Sequence, residues 1–274
     1  MTKPSWFNRL SILFGLAFLY LPIVVLVIYS FNGSKLVTVW GGFSTQWYAT
    51  VLANPSIIEG AKVSFLVAAV SATAATILGT LAAVVMVRLR RFRGRALLNG
   101  MLLAPMVMPE VVMAVSMLLM FVTLGIDRGP LTITLAHTTF TLCFATVVLQ
   151  SRLVELDPSL EEAARDLGCP PAKAFVSVAL PNMVPALVSA WLLSFTLSLD
   201  DLVISSFTTG PGASTLPMKI YSQIKFGVTP EINAISTIIL GTVVLGLVAA
   251  QLVSRRAEQR GKRRCLKQFE TGDS

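Results

Sequence analysis

Three carboxylates stand where their neighbours are apolar. Glu110 lies in Met108-Pro-Glu-Val-Val112, and Asp200 and Asp201 close the run Ser194-Phe-Thr-Leu-Ser-Leu-Asp-Asp201. A charge at the centre of a membrane-spanning helix costs roughly 2.5–3.5 kcal/mol, so such groups face a cavity or a partner rather than lipid. Ser194, Ser198, Asp201 and Ser205 recur at i, i+4, i+7 and i+11, one polar stripe along a helix. Two kinds of chemistry are open to these residues. They could draw an organic cation along a route or gate, or they could hydrogen-bond between helices and cap a kink. His137, among Thr138, Thr139 and Thr141, reads as an interhelical hydrogen-bonder. Trp191 reads as packing, with cation–π contact to an amine as the alternative. One histidine and no paired catalytic constellation leave little for an enzyme to work with. Cys143, Cys169 and Cys265 lack metal-ligand spacing and read as reduced and structural, so no metal is expected. No Gly-x4-Gly-Lys-Ser/Thr occurs, so the chain has no phosphate-cradling loop of its own.

A second segment has chemistry of another kind, running from Leu156-Asp-Pro-Ser-Leu-Glu-Glu-Ala-Ala-Arg165 through Asp-Leu-Gly168-Cys-Pro-Pro171. Asp157 is a good N-cap, and Pro158 suits the first helical position, where its missing N–H costs nothing. Gly168 fits the left-handed residue that ends a helix, and Pro170 and Pro171 forbid its continuation. The spacing predicts a helix over Pro158–Leu167. Leu160, Ala163, Ala164 and Leu167 form one apolar stripe on it, and Glu161 and Arg165 make a favourable i,i+4 pair. So short a helix is not stable alone in water, so it needs a surface, its own chain or another, to lie on.

The elements that must position these residues are membrane spans. Of the 274 residues 54% are hydrophobic and 13% charged, about half the charged fraction of a soluble domain. A bilayer core of about 30 Å takes roughly 20 apolar residues as a helix. Six stretches qualify: Leu10–Phe31, Ala61–Val87, Leu97–Leu124, Leu131–Leu149, Val184–Phe207 and Ile232–Val253. Pro105 and Pro109 free backbone groups in the third, which predicts a broken helix there. With the N-terminus inside, 17 of the 22 Lys and Arg fall in cytoplasmic segments, the densest being Arg88 to Arg95. Both termini are therefore expected in the cytoplasm. The placement of the +8 charge between spans argues against a nucleic-acid partner. The first span, with an apolar core longer than a signal peptide's, reads as an uncleaved anchor. Trp6 would mark the inner interface, and Trp40, Trp47 and Tyr48 the outer side.

In residue types and spacing, Glu162-Ala-Ala-x3-Gly168-x9-Val178-x-Leu180-Pro181 resembles the EAA loop of type I ABC-importer permeases, with Val178 where isoleucine is usual. The resemblance implies an all-α membrane protein of the MetI-like fold. It places an ABC transmembrane type-1 domain at residues 61–253 and the coupling loop at 150–183, before a basic tail at 254–274. It also implies that Glu162, Ala163, Ala164 and Gly168 dock on an ATPase subunit. Tyr29–Leu36, Arg152–Asp157 and Ser194–Asp201, continuing through Thr209-Gly-Pro-Gly212 to Leu216-Pro217, are similar to the shorter permease subunit of spermidine and putrescine importers. That likeness implies a polyamine substrate, a second and different permease chain, two ATPase subunits and a periplasmic binding protein, the last meeting an outer loop at Thr208–Thr229. ATP and magnesium would be held by the ATPases, and no cofactor by this chain. On this reading Asp200, Asp201, Glu110, Ser194 and Ser198 line the substrate pathway. The alternatives are the same machine with another small solute, such as sulfate, ferric iron or an opine-like amine, and an ion-coupled secondary transporter.

Overall fold

The computed structural model describes residues 6–36, 39–89, 91–227, 229–246 and 248, and among them the regular structure is helical throughout, with one isolated β-bridge between Asn32 and Phe43. The basic tail and the end of the sixth expected span lie outside the described residues. In order, the helices are α1 (Trp6–Tyr29), α2 (Gln46–Ala53), α3 (Pro55–Arg88), α4 (Arg95–Val107), α5 (Glu110–Thr123) and α6 (Pro130–Glu155). There follow α7 (Ser159–Asp166), α8 (Pro171–Ala174), a π turn (Phe175–Ala179), α9 (Leu180–Asp200), α10 (Val203–Thr208), α11 (Leu216–Phe226) and α12 (Pro230–Gly246).

Four stretches are long and apolar enough to cross a bilayer: Trp6–Tyr29, Pro55–Arg88, Pro130–Glu155 and Pro171–Asp200. A fifth is possible if α4 and α5, which meet at 116°, count as one span. The third expected span is thus two helices. Met108 precedes a proline and is forced out of the α region (φ −73°, ψ 140°), so α4 stops there, and Pro109 starts α5. The sixth expected span is shorter than a full crossing in its described part, Pro230–Gly246. The fifth does not run to Phe207: α9 stops at Asp200, and α10 begins two residues beyond the break.

The chain divides into two compact units, Met1–Glu59 with Lys219–Val244 and Gly60–Met218 with Leu245–Ser274. In the first, Asn32 organises the turn after α1. Its Nδ2 donates to the Val39 carbonyl at 2.7 Å, and its Oδ1 accepts from the Gly41 N–H at 2.7 Å. The indole of Trp47 donates to the Asn32 carbonyl at 2.7 Å, and Tyr48 Oη lies 2.6 Å from Ser30 Oγ. Trp47 is therefore buried and pins the loop.

In the second unit α6 is the central helix. Ala145, Leu149 and Leu153 pack with Ala83 of α3 and with Met183 and Ala190 of α9. Ala136 packs with Ala114 and Phe121 of α5 and with Ile204 of α10. Small residues let membrane helices approach closely where no hydrophobic drive joins them. Gly79 is a close approach of this kind between α3 and α6: a Cβ there would come within 3.1 Å of the Thr146 backbone nitrogen. Thr141 and Thr146 on α6 are satisfied locally, each donating to the carbonyl four residues back.

Candidate functional site

Two places in the second unit collect the residues singled out by chemistry. The first is the pair of breaks at α4–α5 and α9–α10. Once α9 ends, the Asp201 carboxylate turns back on the chain, accepting from the N–H of Ile204 (3.2 Å) and of Ser205 (2.7 Å). It therefore caps α10, as an aspartate at a helix start does. His137 of α6 faces it, with Nε2 3.0 Å from Asp201 Oδ2 and Nδ1 2.6 Å from Ser198 Oγ. Ser205 Oγ lies 3.0 Å from the same Nε2. A carboxylate only accepts, so Nε2 carries a proton that points at Asp201. His137, Ser198, Asp201 and Ser205 are all buried. Three of the four residues of the polar stripe, Ser198, Asp201 and Ser205, thus face another helix and are satisfied there.

The other expected pathway residues differ from Asp201. Glu110 opens α5 and is half-buried. Asp200 is exposed, on the last turn of α9. Ser194 is buried, and its hydroxyl has no partner among the described residues. Trp191 is packed: its ring stacks on Phe195 at 5.1 Å and its Nε1 donates to Thr73 Oγ1 at 3.0 Å.

The second place is α7. Its start is fixed by Asp157, whose Oδ1 accepts from the Ser159 N–H at 3.0 Å. That bond to the ionised form, from a fully exposed position, holds the Asp157 carboxyl below its ordinary range. At the other end Gly168 has φ +88°, with its N–H bonded to the Arg165 carbonyl and the Cys169 N–H to the Ala164 carbonyl, a Schellman closure. Between these caps the apolar stripe points outward: Leu160 is 50% exposed and Leu167 88%, with Glu162 and Ala163 exposed beside them. Glu161 does not pair with Arg165. It accepts instead from Arg88 at the end of α3. Beyond α8 the π turn precedes Pro181, which has no N–H to give to the carbonyl of Ser177 four residues back.

Residues 75–262 match the family described as binding-protein-dependent transport system inner membrane component. The chain belongs to that family. This permease is 54% identical to the putrescine transport system permease protein PotI of Escherichia coli strain K12, over 90% of each chain. It is 44% identical to the spermidine/putrescine transport system permease protein PotC of the same strain, over 87% of this chain and 90% of that one. Among solved structures it is similar to a bacterial ABC transporter involved in the import of the acidic polysaccharide alginate. The TM-score is 0.71 at 16% identity, covering 90% of this chain and 92% of that one. It is also similar to the methionine transporter MetNI in inward-facing conformations, with a TM-score of 0.59 at 18% identity over 73% and 94% of the two chains. At such identities the shared feature is the fold of an ABC-importer permease.

The permease also uses residues that spacing alone did not select. Ser205 stood in the polar stripe but was not placed in the site, although its position four residues after Asp201 is where a capped first turn brings it back. Arg88 carried no local signal beyond its basic run, because its partner lies 73 residues away.

Proposed function

We propose that this permease is one half of the transmembrane route of a polyamine importer, worked by separate ATPase subunits through α7. The observation that carries the coupling role is the outward-facing stripe of Leu160, Ala163 and Leu167, on a helix capped at both ends and left uncovered by the rest of the described chain. Exposed apolar surface of this kind is stabilised by burial at about 25 cal/mol per Å². A groove on an ATPase subunit supplies that burial, with Glu162 available to a cation at its rim. Gly168 keeps the end of the helix short and clear. The other half of the route is a second permease chain, and a periplasmic protein delivers the substrate. ATP and magnesium belong to the ATPases. Six spans with both termini in the cytoplasm put α7 on the side where ATP is.

The substrate class is supported by the names of the relatives, putrescine at 54% identity and spermidine/putrescine at 44%. It is also supported by the chemistry of Glu110 and Asp200, carboxyls beside breaks in two helices, which suit a polyvalent organic cation. Transport runs by alternating access, with ATP binding moving α7 and reorienting the pathway.

Glu162→Lys should abolish ATP-driven putrescine uptake in proteoliposomes holding the whole complex, with insertion of the chain intact. Normal uptake by that variant would refute the docking role. The substrate assignment is tested by calorimetry on the periplasmic partner, which should bind putrescine or spermidine. Binding of sulfate or ferric iron and no polyamine would overturn it.

A further inference from the structure

A push on α7 has two covalent routes into the membrane, through Leu156–Pro158 to α6 and through Gly168–Pro170 to α8 and α9. The structure holds a third. Arg88, the last residue of α3, donates through Nη2 to Glu161 Oε1, across 73 residues of sequence. A cleft of about 630 Å³ opens beside this pair, lined among others by Met86, Leu153, Val154 and Pro158. The ends of α3 and α7 therefore meet through two side chains and not through a packed surface.

The energetics point to position as the pair's role. The side chains are 28% and 17% exposed, enclosed enough that solvent screens them less than an exposed surface pair. Arg88 Nε is nevertheless buried without an acceptor among the described residues, so the pair there does not recover the full cost of desolvating the guanidinium. A nearer partner was available, since Arg165 sits one turn along α7 from Glu161. Glu161 instead reaches another helix.

We infer that Arg88 and Glu161 are a positioning pair that transmits the displacement of α7 directly to α3. The inference rests on the reading of α7 as the ATPase-docking helix. It assigns the pair to the stroke and not to substrate binding. Losing it leaves the ATPases attached and turning over while the membrane helices follow less well.

The test uses the complete complex in proteoliposomes and reads uptake per ATP hydrolysed. Arg88→Glu and Glu161→Arg should each lower that ratio about five-fold, with the KM for substrate unchanged, and the double reversal should return it to within about two-fold of the wild type. Arg88→Gln and Glu161→Gln keep the test open if reversed charges prevent assembly. Two residues acting as one unit make the double Gln variant no worse than either single one, whereas independent residues would multiply their losses. An unchanged ratio in the single variants, or multiplied losses in the double Gln variant, overturns the inference. The docking reading has its own readout, cross-linking from Leu160→Cys to the ATPase subunit in an otherwise wild-type complex. If no cross-link to the ATPase forms, the docking reading fails, whatever the charge variants do.

Discussion

α7 and the α9–α10 break are both short pieces of helix that carry a stripe of one character, and the two stripes have opposite fates. At the break the stripe is polar, and Ser198, Asp201 and Ser205 are buried around His137. In hydrocarbon an unsatisfied polar group costs several kcal/mol, so such a stripe must find its partners within the protein. At α7 the stripe is apolar, and Leu160 and Leu167 stay exposed. One region is complete in this chain, and the other leaves its stripe uncovered, as the proposed docking requires. Damage to a complete region should appear as lost stability. Damage to an incomplete one should appear as lost coupling at unchanged stability.

The largest effect separates these two outcomes. Glu162 is exposed, so Glu162→Lys should remove ATP-driven uptake while leaving the thermal unfolding midpoint of the purified chain where it was. A fall in midpoint would mean that α7 is held by its own chain, and the contrast would be gone. His137→Ala should do the reverse. It deletes a buried ring that contacts Ser198, Ser205 and Asp201. Interhelical hydrogen bonds in membranes are each worth only about 1 kcal/mol, but the emptied volume and the exposed Asp201 acceptor bring the loss to about 3 kcal/mol. Thermal unfolding in detergent measures it, and His137→Gln, which keeps a donor, should recover part of the loss. An unchanged midpoint in His137→Ala would show the cluster to be less complete than its geometry.

The contrast was only half legible beforehand, for physical reasons. The ends of α7 are written in local chemistry, and Asp157, Pro158 and Gly168 bound the observed helix to within one residue. The α4–α5 break was equally readable, because Pro109 acts on its immediate neighbour. The α9–α10 break was not. No proline or glycine stands at Asp201–Leu202, and the interruption depends on the Asp201 side chain preferring the amides of Ile204 and Ser205 to continued helix. An aspartate late in an apolar run is the available sign, and it reads equally well as a pathway residue. Glu161 failed as an i,i+4 partner of Arg165 for a related reason: a contact 73 residues distant outweighed one a single turn away. Trp47 likewise gives its indole N–H to the carbonyl of Asn32, 15 residues away. Local signals set where helices end, and long-range partners decide which way their polar atoms turn.

Gly168 offers an intermediate test. Its φ of +88° lies in the left-handed region, where a side chain costs about 1–2 kcal/mol, and no atom lies within 4 Å of where a Cβ would stand. Gly168→Val therefore strains the backbone without a steric clash in this chain. The expected result is a loosened end of α7, seen as faster hydrogen exchange at the Cys169 amide, and weaker copurification of the ATPase subunit. Exchange unchanged with copurification lost would instead put the glycine directly at the docked surface.

The smallest expected effect lies at the start of the same helix. The Ser159 N–H holds the Asp157 carboxyl below its ordinary value, so the carboxylate is the form that favours the folded cap. A depressed carboxylate contributes stability that is complete above its unfolded value of about 3.9 and is lost as pH falls through the lower, folded value. Protection of the Ser159 amide in the assembled complex should therefore hold steady from neutral pH down to about 4 and decline below that. Asp157→Asn keeps an acceptor but not the charge, so its protection should be lower at neutral pH and should not decline in the acid window. Because Asp157 is fully exposed and screened, neither change should alter uptake at neutral pH by more than about two-fold. A larger loss would mean that the docked partner, and not only the cap, reads the charge at Asp157.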